Sequence, residues 1–131
     1  MKINPKDYLG KAIFITATNT NVGKTYACEK FLNYFANAGL RVGYYKPIET
    51  GVENNTPLDG SKMLNLTKKL NTDFKNISIN DCVPYQFTIP AAPYVARGNT
   101  YIDIDFIKEK KEYLQNFCDV LIIEGAGGLM V

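Results

Sequence analysis

The chain has 131 residues, 46% hydrophobic and 21% charged, with 15 Lys plus Arg against 13 Asp plus Glu and a net charge of +2. That is the composition of one ordinary soluble domain, long enough to bury a core, and its near-neutral balance argues against the basic face that nucleic acid binding requires. Histidine is absent, which excludes Ser-His-Asp and Cys-His nucleophile pairs, histidine zinc sites and a histidine proton shuttle.

Residues 11–17 form a short apolar, β-branched run expected to be a buried strand. A turn-forming stretch, Thr18, Asn19, Thr20 and Asn21, follows it. A helical pattern spans residues 24–38, with Ala27, Phe31, Leu32, Phe35 and Ala38 along one face and Gly39 as its stop. Residues 41–46 read as a second strand ended by Pro47, and residues 47–57 as loop. A weaker helix is expected over 60–70, a short strand over 83–87 and a rigid connection over 89–93, while 71–82 carry no clear pattern. Residues 103–117 predict a helix with Phe106, Ile107, Tyr113, Leu114 and Phe117 buried and the Lys/Glu run at 108–112 solvated. Residues 119–124 are a continuous apolar strand, the pattern of a parallel sheet covered on both faces.

Strands alternating with helices predict an open parallel α/β sheet with right-handed crossovers. So few strands would leave an apolar edge bare, and Leu129, Met130 and Val131 are apolar. The expectation is the N-terminal portion of a single larger domain. Cys28, Cys82 and Cys118 form no Cys-x-x-Cys pair and read as reduced thiols in a cytoplasmic protein. No signal peptide and no membrane-spanning run is evident, so neither membrane nor nucleic acid is an expected partner.

The strongest chemical signal runs from Ala17 to Thr25, ending in Gly23-Lys24-Thr25 between a strand and a helix. Such a junction cradles phosphate with backbone N–H groups and the positive helix end. Lys24 would reach the β/γ phosphates and Thr25 a magnesium position. A bare Gly-Lys-Thr could also be an ordinary turn; the flanking strand and helix weigh against that. Glu124 ends the last apolar strand, where open α/β sheets gather ligands, and fits a magnesium carboxylate. The alternative is a solubilising strand cap, against which the small residues Gly125, Ala126, Gly127 and Gly128 argue, since they let backbone approach a substrate. Lys46 also follows a strand, and two converging lysines suit phosphoryl transfer, although Lys46 alone would read as a surface lysine. Asp59 is either a second magnesium carboxylate or a helix N-cap. The nine tyrosines are assigned no ligand.

As an ordered set these motifs resemble the dethiobiotin synthetase family. The family loop G-T-D-T-x-V-G-K-T is matched from Ala17 to Thr25, its K-P-x-x-[ST]-G from Lys46 to Gly51, and its E-G-A-G-G from Glu124 to Gly128. Its Pro-Ala-Ala-Pro region is matched by Pro90, Ala91, Ala92 and Pro93. Ala17, Asn19 and Tyr94 depart from the common glycine, aspartate and histidine.

The resemblance implies a P-loop NTPase-like fold with helices on both faces. It also implies ATP- and Mg2+-dependent ring closure of 7,8-diaminononanoate with CO2 or bicarbonate, in a cytoplasmic homodimer. On that basis Lys46, Lys24 and Thr20 are the catalytic candidates. Asn21, Val22, Gly23, Lys24, Thr25, Tyr26, Asp59, Glu124, Gly125, Ala126 and Gly127 are the nucleotide-binding set. Thr50 and Gly128 contact substrate, and Thr25, Asp59 and Glu124 hold magnesium. The family's members are longer than this chain. Two other readings are a non-catalytic nucleotide-binding fragment and an amidoligase of the cobyrinic acid diamide synthase type.

Overall fold

The computed structural model describes residues 4–16, 21–91 and 93–126, with backbone alone at 21, 22 and 94. In chain order the elements are β1 (Lys11–Ile15), α1 (Asn21–Asn37), β2 (Val42–Tyr45), β3 (Ile48–Glu49), α2 (Leu58–Leu70), α3 (Ile79–Cys82), β4 (Tyr85–Gln86), α4 (Pro93–Ala96), α5 (Ile104–Gln115) and β5 (Val120–Glu124). Short 3-10 turns lie at Pro5–Tyr8 and Thr72–Phe74.

β5 lies between β1 and β2 and runs parallel to both, with Lys11 and Val42 each opposite Val120. All three strands therefore end at one edge, Ile15 beside Glu124 and Tyr45 beside Ile123. Every residue of β5 is buried, as its unbroken apolar run predicts. Each such Val, Leu or Ile side chain stabilises the fold by about 1.5–3 kcal/mol.

Strand alternation assigns the layers. Tyr44 and Glu124 turn toward α1, where Thr25 meets the Glu124 carboxylate. Tyr45 faces the other way and donates its hydroxyl to the Ile107 carbonyl of α5 at 2.8 Å. Thus α1 covers one face and α5 the other, with α2 packed on α1 and β2. Gly43 belongs to the α5 face, where a Cβ would come within 2.6 Å of Cys118 Sγ. The close approach of the segment after α5 leaves no room for a side chain there.

Several expectations need correction. α1 begins at Asn21 rather than near residue 24, and its buried stripe is Lys24, Cys28, Leu32 and Phe35. Phe31 and Ala27 flank that stripe half-buried, and Ala38 is exposed beyond the helix end. Gly39 does stop the helix: at φ +90° it lets the Leu40 N–H turn back to the Phe35 carbonyl at 3.0 Å.

β1 is not a buried strand. Among the described residues it pairs with β5 on one side only, and α5 packs on β2 and β5, so Phe14 is 47% exposed and Ile13 and Ile15 are half-buried. On α5 only Leu114 is fully buried, while Tyr113 is exposed and Phe106, Ile107 and Phe117 are half-buried. Asp103 caps that helix, accepting the N–H groups of Asp105 and Phe106.

The segment read as loop after Pro47 contains β3, which pairs in parallel with β4, Ile48 opposite Tyr85 and Glu49 opposite Gln86. The strand expected over 83–87 is correspondingly reduced to Tyr85–Gln86. Around this ladder the Lys46 N–H donates to the Cys82 carbonyl at 2.9 Å and the Val52 N–H to the Phe87 carbonyl at 2.9 Å. Residues 46–52 are thereby pinned against 82–89. The unassigned stretch before it is tied down by Asn71, whose amide donates to the carbonyls of Val42 and Phe117, each at 2.9 Å. All three cysteines are free and buried. Among the described residues no helix is long and apolar enough to cross a membrane.

Candidate functional site

The shared strand edge brings together residues that are far apart in sequence. Lys24, in the first turns of α1, is 2% exposed and donates its ammonium to the Gly125 carbonyl at 2.8 Å. Thr25 beside it points its hydroxyl at Glu124 Oε2, 3.5 Å away. Lys46, directly after β2, is 3% exposed, with Nζ 3.2 Å from the same Oε2. Its ammonium is also 3.7 Å from Asp59 and 3.8 Å from Glu49. Glu124 is wholly buried, and its other oxygen, Oε1, accepts the Tyr44 hydroxyl at 2.9 Å.

Burying these charges is costly unless each finds partners. Among the described residues no buried side-chain nitrogen or oxygen lacks a hydrogen bond. Burial still lowers the Lys24 pKa from the ordinary lysine value; Glu124 opposes that shift and Lys46 adds to it. Burial likewise pushes the Glu49 carboxyl up, against the pull of the Lys46 ammonium and the Gly60 N–H.

Asp59 is not the N-cap of α2. Pro57 holds that position and offers no side-chain cap, and Asp59 lies inside the first turn with its carboxylate toward Lys46. Capping comes instead from Glu49, which accepts the N–H groups of Gly60 at 2.8 Å and Asp59 at 3.3 Å. A carboxylate there also complements the positive end of the helix. Gly60 is the residue that permits this, since a Cβ would stand 2.5 Å from Val83 and 3.1 Å from Glu49 Oε1.

Of the other candidates, Gly125 and Ala126 follow β5, with the Gly125 N–H donating to the Ile15 carbonyl at 3.0 Å. Gly23 is exposed at the start of α1, and Thr50 is half-buried in the segment pinned by β4. Tyr26 faces solvent with the Lys30 ammonium 5.2 Å from its ring centre. Ala17, Asn19, Thr20, Gly127 and Gly128 lie outside the described residues, as do the side chains of Asn21, Val22 and Tyr94. Tyr44 and Glu49 escaped the sequence reading. The signal for Tyr44 was its spacing of two from Lys46, which sets both on one strand face.

Two ammonium groups, a hydroxyl and carboxylates at the C-terminal ends of parallel strands, beside a helix N-terminus, suit a phosphorylated ligand. A model of the family described as AAA domain matches residues 11–131. The chain belongs to the AAA domain family. That membership agrees with the P-loop-type parallel sheet and with ATP use.

This AAA domain chain is similar to the ATP-dependent dethiobiotin synthetase BioD of Sulfurovum sp., 48% identical over 120 residues that cover 92% of the chain and 57% of that protein. The protein of the same name from Wolinella succinogenes is 37% identical over 92% of the chain and 56% of its own length. That of Hydrogenobaculum sp. is 39% identical over 91% and 51%. The chain thus spans little more than half the length of the curated relatives it matches. Their names bear out the resemblance read from the ordered motifs and favour it over the amidoligase reading.

Proposed function

We propose that this chain carries the phosphoryl-transfer centre of an ATP-dependent dethiobiotin synthetase, as the N-terminal portion of one P-loop domain. The observation that carries the reading is the pair of buried lysines, Lys24 and Lys46, converging on the exit of β5. The reaction that suits this geometry starts with 7,8-diaminononanoate. One of its amines forms an N–C bond to CO2 and loses a proton, giving a carbamate. A carbamate oxygen then attacks the γ-phosphorus of ATP as the β,γ-bridging P–O bond breaks and ADP leaves. The second amine attacks the carbonyl carbon and gives up a proton, the C–O bond to the phosphoryl group breaks to release phosphate, and the ring closes.

Negative charge accumulates at the γ-phosphoryl and carbamate oxygens, and buried, preorganised ammonium groups stabilise it best. Lys24 supplies positive charge from the phosphate side and Lys46 from the side of the carbamate. Thr20 and Thr50 offer hydroxyls, and the amides of residues 125–128 orient the substrate. Catalysis by position and electrostatics needs no histidine. Thr25, Glu124 and Asp59 present the hard oxygen donors that magnesium takes alongside phosphate, and when bound the ion would neutralise phosphate charge. The working form is a cytoplasmic homodimer.

The test is product formation by the full-length protein with MgATP, bicarbonate and 7,8-diaminononanoate, followed by mass spectrometry, with Lys24→Ala as control. Dethiobiotin above the control is the expected result; none at all would refute the assignment. Thr25→Val is expected to weaken ATP binding in the presence of magnesium while leaving metal-free binding unchanged. Equal affinity in a magnesium titration would remove Thr25 from the metal site.

A further inference from the structure

The two oxygens of Glu124 have different surroundings. Oε2 meets the Thr25 hydroxyl at 3.5 Å and the Lys46 ammonium at 3.2 Å. Oε1 looks inward and accepts the Tyr44 hydroxyl at 2.9 Å, both residues being wholly buried. A buried tyrosine hydroxyl needs some acceptor, and a carbonyl would serve, as it does for the neighbouring Tyr45. Tyr44 spends its hydrogen bond on a carboxylate instead. A glutamate side chain turns freely about its last bond, so an anchor on one oxygen fixes where the other points. Because Tyr44 and Lys46 lie two residues apart, β2 sets both on the face that Glu124 occupies.

We propose that Tyr44 is a positioning residue: it turns Oε1 of Glu124 inward so that Oε2 alone is offered to the divalent cation that accompanies the nucleotide. The inference rests on the nucleotide-binding reading above and adds a residue to it that touches neither substrate nor metal.

The experiment uses Tyr44→Phe in the full-length protein, which keeps the ring and removes the donor. Mn2+ binding in the presence of ADP is followed by electron paramagnetic resonance, and ADP binding without metal by calorimetry. The expected result is a Mn2+ dissociation constant raised about 10–100-fold, the usual cost of losing a partner that orients a metal ligand, with metal-free ADP binding unchanged. An unchanged Mn2+ constant, or an equal loss in metal-free ADP binding, would overturn the proposal. If Tyr44→Phe lowers the melting temperature, a cycle with Glu124→Gln still decides. Mn2+ binding by the double variant no weaker than by Glu124→Gln alone supports positioning through Glu124, and additive losses overturn it. Failure of the parent protein to bind Mn2+ with ADP would overturn the nucleotide reading as well as this one.

Discussion

Replacing Lys46 by alanine in the full-length protein is expected to lower the rate of ring closure about 10²–10³-fold, the scale seen when one preorganised partner of a developing charge is lost. The reason lies in what surrounds its ammonium. Glu124, Asp59 and Glu49 all stand within 3.8 Å of it. Without that ammonium three carboxylates, those of Glu49 and Glu124 buried, are left without their shared counter-charge beside the incoming phosphate, and repulsion replaces attraction. Lys24 keeps its hydrogen bond to the Gly125 carbonyl and loses a like-charged neighbour, so the KM for ATP should move far less than kcat. Lys46→Met, which keeps most of the stem, separates lost charge from lost packing. Steady-state rates at saturating ATP give the answer, and turnover near the parent value would exclude Lys46 from the reaction.

Phe35→Ala is expected to cost about 3–5 kcal/mol of unfolding free energy, as truncation of a core aromatic does. Phe35 is 1% exposed and lies against Tyr8, Phe31 and Tyr34, with ring centres 5.4, 6.3 and 5.2 Å away. No single turn of the chain can refill that space, because its neighbours come from both α1 and the segment before β1. Phe35 is also the far end of the stripe that begins with Lys24, so the loss bears on how firmly α1 holds its lysine. Urea denaturation of the full-length protein measures it; a cost below about 1 kcal/mol, the range of surface changes, would contradict this packing.

Residues 119–124 announced themselves in the sequence because nothing but a fully covered parallel strand combines that length with so few polar residues. The places of Lys46 and Glu124 at strand ends and of Gly23-Lys24-Thr25 at the start of a helix were legible too, although Lys46 drew attention only through its pairing with Lys24. β1 misled because its composition is apolar, while burial depends on which neighbours stand beside it. On α1 the apolar count pointed to Ala27 and Ala38, whereas the buried stripe starts with a lysine that no hydropathy pattern would place there. β3 stayed hidden because its partner lies in residues 85–86, and two-residue strands carry no periodicity. Asp59 was open between two roles in the sequence, and the cap was excluded only when Pro57 was seen to take that position and Glu49 to supply the acceptor.

The position of β5 has a consequence for how the molecule is made. Among the described residues β1 and β2 do not pair with each other; each is joined to the sheet through β5. At a ribosomal rate of about 5–20 residues per second, β1 emerges roughly 5–20 seconds before the residues that pair with it. During that interval α1 to α5 and the small β3–β4 ladder can form local structure, but the pairing of β1 and β2 with β5 must wait and close over long loops, a topology that slows folding. Chaperone occupancy of nascent chains stalled before and after the central strand has emerged from the ribosome should therefore differ sharply, with release following that emergence.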